Sequence, residues 1–135
     1  QFTDLEFRIG YPDQLIFAPD NPKVVFMSGA QDAPFNWIER NSANGTVVIS
    51  EDGGRNWRAP KNGFPEGRAN VEAMAIYTND QGFQLFAGTT DGDVFASSDR
   101  GETWERIIEG LSAVSKPTHD TLIAGVSYGT EPPAM

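Results

Sequence analysis

Ser50-Glu51-Asp52-Gly53-Gly54-Arg55-Asn56-Trp57 returns as Ser97-Ser98-Asp99-Arg100-Gly101-Glu102-Thr103-Trp104, at an offset of 47 residues (50 to 97). An eight-residue pattern of serine, aspartate, glycine and tryptophan at fixed spacing, present twice, makes this chain a repeat protein. Each residue type has a task in a tight turn. Asp52 and Asp99 are expected to accept hydrogen bonds from backbone N–H groups a residue or two ahead, Gly54 and Gly101 to supply left-handed backbone, and Ser50 and Ser97 to brace the turn. Trp57 and Trp104 form a large apolar plate beneath it. Because building the turn already requires these residues, they are read as structural rather than catalytic or metal-binding.

Working outward, Val24-Val25-Phe26-Met27-Ser28-Gly29 matches Gln84-Leu85-Phe86-Ala87-Gly88-Thr89 at an offset of 60. Leu15-Ile16-Phe17-Ala18-Pro19-Asp20 is aligned with Ala75-Ile76-Tyr77-Thr78-Asn79-Asp80 at the same offset. Since the turns repeat at 47, the first copy carries extra residues within 30–44, AQDAPFNWIERNSAN, where the second has only Thr90-Asp91-Gly92-Asp93. That Asp-Gly pair predicts a two-residue hairpin turn. Each copy is predicted to hold four short antiparallel strands, at 15–18, 24–29, 45–49 and 57–59, then 72–77, 84–89, 93–97 and 104–108. Their β-branched and aromatic content suits strands, and no segment shows a helical apolar period.

The repeated turn resembles the Asp-box, or BNR repeat, of sialidase-type and YVTN-type β-propellers, which sits between the third and fourth strands of a blade. Ala18-Pro19-Asp20-Asn21-Pro22, Gly92-Asp93-Val94-Phe95-Ala96-Ser97 and Trp104-Glu105-Arg106-Ile107 extend the resemblance over about residues 14–111. The broad class is bacterial, and similar repeats occur in glycosidases, a photosystem assembly factor and sortilin-type receptors. The resemblance implies an all-β fold of four-stranded propeller blades and leaves function open. Residues 1–135 are expected to be part of a single propeller domain: a blade at 14–63 with the inserted loop 30–44, a blade at 70–111, a partial-blade strand at 118–128 and a polar tail at 129–135. Two blades do not close a ring, so the remaining blades are expected from another chain or chain segment.

The net charge of −9 and pI near 4.4 argue against nucleic acid or an anionic membrane as the main partner. The chain has no cysteine, so it has no disulfide framework and no thiolate site. No apolar run reaches the length of a membrane span. No cofactor and no metal site are expected. A metal site of His119, Glu72 and Asp13 would not follow a recognised ligand spacing.

In such propellers the connections between second and third strands open on the ligand-binding face. The insertion puts Asp32, Trp37, Glu39 and Arg40 there: two carboxylates, a guanidinium fork and an aromatic platform. A loop this long is commonly functional. The competing view is that Phe35, Trp37 and Ile38 only cap the blade. At an offset of 47 Glu72 aligns with His119, and both begin an innermost strand next to the central channel. Arg68, Asn70, Lys116, Asp120 and Asp13 lie near them in the repeat. His119, the only histidine, is the side chain that titrates near neutral pH without a large shift. Phe7-Arg8-Ile9-Gly10 resembles the F/Y-R-I-P element of sialidases, which implies that Arg8 would hold a substrate carboxylate; no tyrosine–glutamate pair for a sialidase accompanies it.

Two readings result. The first is a scaffold that binds a ligand or protein partner on the face bearing 30–44, with Arg8, Trp37, Arg40 and Arg68 as contact residues. The alternative is a carbohydrate-active hydrolase or lyase with Asp32, Glu39, Glu72 and His119 as its catalytic set. The alternative requires two carboxylates that face one another at the spacing glycoside hydrolysis demands.

Overall fold

Val24-Val25-Phe26-Met27 is apolar at every position, and a strand with no polar alternation must bury both of its faces. In the computed structural model, which describes residues 9–65 and 68–114, this run lies at the centre of a three-stranded antiparallel sheet. Its strands are β1 (Tyr11–Ala18), β2 (Asn21–Ala30) and β3 (Thr46–Ser50), in the order β1-β2-β3. The second sheet holds β4 (Val71–Asn79), β5 (Gly82–Thr89), β6 (Val94–Ser97) and β7 (Glu105–Ile108), antiparallel and in chain order. Arg58 makes only an isolated bridge to Ile49, so the predicted fourth strand of the first copy is reduced to one residue pair.

The two sheets pack face to face. Ala18, Val24, Phe26, Val47 and Ile49 from the first meet Val71, Met74, Phe83, Leu85, Ala87, Phe95 and Trp104 from the second in one buried core. Phe26 and Phe83 meet edge to face at 6.2 Å between ring centroids. A smaller cluster of Ile9, Val25, Met27, Val48 and Trp57 covers the opposite side of the first sheet. Each tryptophan thus lies on the same side of its own sheet, as a repeated unit requires.

The twin turns share the same frame of serine, aspartate and tryptophan hydrogen bonds. Gly54 N–H donates to Ser50 Oγ at 2.8 Å and Gly101 N–H to Ser97 Oγ at 2.9 Å. Each serine hydroxyl donates to its aspartate, Asp52 or Asp99, at 2.9 Å. Asn56 N–H reaches Asp52 Oδ1 at 2.9 Å and Thr103 N–H reaches Asp99 Oδ1 at 2.8 Å. The aspartates therefore accept from four residues ahead, and Asp52 also from Arg55 N–H three ahead at 3.1 Å, not from one or two, because the carboxylate spans the whole turn. The indoles close it: Trp57 Nε1 donates to Gly54 O and Trp104 Nε1 to Gly101 O. Gly54 and Gly101 have φ of 95° and 84°, in the region that glycine alone enters cheaply.

Strand pairing corrects the alignment of the first strands. Phe17 faces Val25 as Ile76 faces Leu85, and Leu15 faces Met27 as Met74 faces Ala87. The first strands therefore correspond at 59 residues, and Leu15 matches Met74 rather than Ala75. The odd residue is absorbed where the β1–β2 register breaks, between Phe17 and Ala18. With a side-chain period of two, a one-residue slip exchanges the faces of the strand. The corrected offset also aligns Asp13 with Glu72, and each is the extra residue of a register break, between Pro12 and Gln14 in β1 and between Val71 and Ala73 in β4.

Candidate functional site

The connection between β2 and β3 is not a loop throughout. It contains a short helix, α1 (Pro34–Arg40). Pro34 in its first turn presets φ, and Asn41 stops it with left-handed backbone at φ 61° while its N–H caps the Trp37 carbonyl. No α1 residue is buried, and a stretch shorter than two full turns cannot register a helical period, which is why its sequence reads as loop. Pro34 at the start and Asn41 at the end were the signals available.

Asp32 and Arg40, two of the expected site residues, are bound to each other. Arg40 Nη2 donates to Asp32 Oδ1 at 2.9 Å and Nη1 to Oδ2 at 3.2 Å, the two-pronged geometry that suits guanidinium and carboxylate. Arg40 Nε also donates to the Ser42 carbonyl at 3.0 Å. The hydrogen bonds from Arg40 hold the Asp32 carboxyl below the usual carboxylate range. That is the wrong direction for a general acid, which needs a raised pKa. Trp37 is half-buried, donates through Nε1 to the Asp32 carbonyl at 2.6 Å and meets Tyr11 edge to face at 5.8 Å. It acts as a strut rather than an open platform. Asp32, Asn36, Glu39 and Arg40 line a shallow, open depression. What α1 presents to solvent is apolar: Phe35 is 76% exposed and Ile38 82%.

Glu72 does not join that group. It is buried on the β4 bulge, whereas Asp32 and Glu39 belong to the insertion. Beside it, Asn70 donates through Nδ2 to Asp13 Oδ2 at 2.7 Å, and Met74 N–H donates to Gln14 Oε1 at 2.8 Å, so the two first strands are tied together. Arg68 is exposed, and its carbonyl accepts the Ala43 N–H at 2.7 Å, fastening the end of the insertion to the lead-in of β4. Arg8, His119, Lys116 and Asp120 lie outside the described residues, as do the expected strand at 118–128 and the tail.

The variable positions of the second turn carry contacts that sequence reasoning missed. Arg58 reaches across from the first sheet to Glu102, donating to Oε1 at 3.1 Å and to Oε2 at 2.6 Å, and it also pairs with Glu51 at 2.5 Å. These bonds push the Arg58 guanidinium up and hold Glu102 down. Arg100 pairs with Asp20 at 2.8 Å and stacks over the Phe83 ring at 5.1 Å. Asn62 donates to Thr103 Oγ1 at 2.7 Å. Constant residues build the turn, and variable ones stitch it to the neighbouring sheet.

No family model matches this chain. Over 100 residues, 74% of its length, it is 34% identical to vacuolar protein sorting/targeting protein 10 of Chaetomium globosum. The chain spans about 5% of the length of that protein.

Proposed function

We propose that this chain forms two adjacent blades of an Asp-box β-propeller and that it binds a protein partner at the end carrying the β2–β3 insertion. The observation that carries the binding role is the exposure of Phe35 and Ile38 on a helix that the Asp32–Arg40 pair and the Trp37 strut hold in place. Large apolar side chains on a braced support are the usual anchors of a protein interface, because little freedom is lost on binding. The name of the similar fungal protein, one of protein sorting and targeting, supports a partner that is itself a protein.

The propeller reading is supported by sheets that are apolar on both sides. Leu15 and Phe17 pair with Met27 and Val25 on the side of the first sheet turned away from the second, and they are 47% and 54% exposed. On the outer side of the second sheet Ala75 is exposed opposite the half-buried Phe86, with Tyr77 58% exposed beside them. Each outer side repeats the chemistry of a side that is already packed, so each fits a further sheet of the same repeat. The hydrolase or lyase alternative would need Asp32 as a proton donor and Arg40 open to a substrate anion, and these two satisfy each other instead.

A photo-crosslinking residue at position 35 or 38 tests the binding role, with one at position 81, in the β4–β5 hairpin at the opposite end, as control. The expected result is one partner protein crosslinked from 35 and 38 but not from 81. Binding of that purified partner should be lost in Phe35→Ala/Ile38→Ala without a change in melting temperature. Equal crosslinking from 81, or full binding by the double variant, would overturn the proposal.

A further inference from the structure

At the insertion end a cavity of about 300 Å³, to which none of the roles above has been assigned, opens between the β3–β4 connection and the second sheet, with Gly45 at the lead-in of β3 on its border. Its apolar wall is Phe64, Val71 and Phe95, and its polar rim is Asp91, Asp93 and Arg106. A volume at the small end of ligand-pocket sizes, with an apolar wall and a few converging charges, is the form a small-molecule site takes.

The wall and the rim are both held in place. Phe64 is wedged against Phe95 at 5.2 Å and against Trp104 at 5.3 Å between ring centroids. The β5–β6 turn is braced by Thr89, whose Oγ1 accepts the Asp91 N–H at 3.3 Å and the Asp93 N–H at 3.2 Å. Gly92 has φ 87°, and a Cβ there would sit 1.9 Å from the Leu111 carbonyl oxygen, so this turn admits glycine alone. The charges on the rim do not balance. Arg106 lies 3.7 Å from Asp93 and 3.5 Å from Glu109, so one guanidinium serves two carboxylates. Among the described residues the Asp91 carboxylate has no ion pair. With a chain of net charge −9 behind it, the rim repels anions and attracts cations.

We infer that this cavity binds a small organic monocation, an ammonium group on an aromatic or branched aliphatic body. The ammonium would meet Asp91 and Asp93, and the body would lie against Phe64, Val71 and Phe95. Such an amine is fully protonated at neutral pH. The inference stands on the cavity alone and does not require the propeller or the protein partner.

The test is a titration of the full chain with phenethylammonium, followed by backbone amide NMR, with uncharged 2-phenylethanol as the matched control. The expected result is a saturable shift of the amides of Gly45, Ala69, Thr89 and Phe95 at millimolar amine, and no saturable shift with the alcohol. Asp91→Asn should weaken the amine by about two- to fivefold, the scale of one partly exposed charge contact. Arg106→Gln should tighten it by a similar factor, because it frees Asp93, and a variant that merely loosened the fold could not tighten binding. Equal response to amine and alcohol, shifts located elsewhere, or no change in either variant would overturn the inference.

Discussion

At the residue scale the chain divides its repeated turn between two jobs. Ser97, Asp99, Gly101 and Trp104 satisfy one another within the turn, while Arg100 and Glu102 reach Asp20 and Arg58 of the first copy and Thr103 accepts from Asn62 in the β3–β4 connection. The constant residues were readable because their hydrogen bonds are local, and local geometry follows directly from residue type and spacing. Trp104, 6% exposed and wedged against Phe64, sits in the core shared by both sheets, so Trp104→Ala should cost about 3–5 kcal/mol in chemical denaturation. Trp57 belongs to the smaller outer cluster, and Trp57→Ala should cost less. A loss below about 1 kcal/mol for Trp104→Ala would remove its role as the apolar support. Acid should act on the same turns. The backbone N–H of Asn56, then its side-chain amide, hold the Asp52 carboxyl below its usual range, and Asp99 is lowered because the bonds from Thr103 and Ser97 outweigh its burial. A folded-state pKa below the unfolded one makes the folded state take up protons later. Its contribution is complete above the unfolded value of about 3.9 and is lost as pH falls from there toward the folded value. Melting temperatures should therefore hold from pH 7 to about 5 and drop below about pH 4. Asp52→Asn should lower the plateau and shallow that drop; an acid slope equal to that of the parent chain would refute the assignment.

At the element scale seven of the eight expected strands formed to within a few residues and the one at 57–59 shrank to a single bridge, while the register and the helix were not foreseen. Runs such as Val24–Met27 identify a strand wherever they occur, but which residue lies opposite which depends on bulges that only pairing reveals. Asp13 and Glu72 illustrate this: nothing adjacent to them in the chain marks either as the extra residue of its strand. The insertion shows the same limit. Asp32, Trp37 and Arg40 are readable from the sequence only as members of one insertion, and their mutual bonding depends on α1 folding Arg40 back over Asp32. Because the pair is screened by solvent, Arg40→Ala should leave global stability nearly unchanged. It should instead raise hydrogen exchange at the amides of Trp37–Asn41 several-fold while leaving β5 unchanged, since local opening is governed by the contacts of the opened unit. Unchanged exchange in α1 would mean that the ion pair does not brace the helix.

At the scale of the whole molecule, two sheets share one core and are cross-tied by Arg58–Glu102, Arg100–Asp20 and Asn70–Asp13. Their outer sides stay apolar, with Phe17 and Leu15 at one extreme and Tyr77 at the other. Patches of this kind seek cover. If both seat further sheets, the 14.7 kDa chain alone should associate at micromolar concentration in light scattering, and Phe17→Ser/Tyr77→Ser should return it to the monomer mass. A parent chain that is strictly monomeric at high concentration would argue that these sides are complete as they stand.

The amino-acid order was sufficient for the repeat, the turns that mark it and the all-β character, because each depends on residues within a few positions of one another. Tertiary structure alone decided the partnership of Asp32 with Arg40, the alignment of Asp13 with Glu72 and the cavity between the β3–β4 connection and the second sheet. Those features join residues that are far apart in the chain, or turn on a one-residue slip in pairing, and their energies exist only after the backbone has brought both sides together.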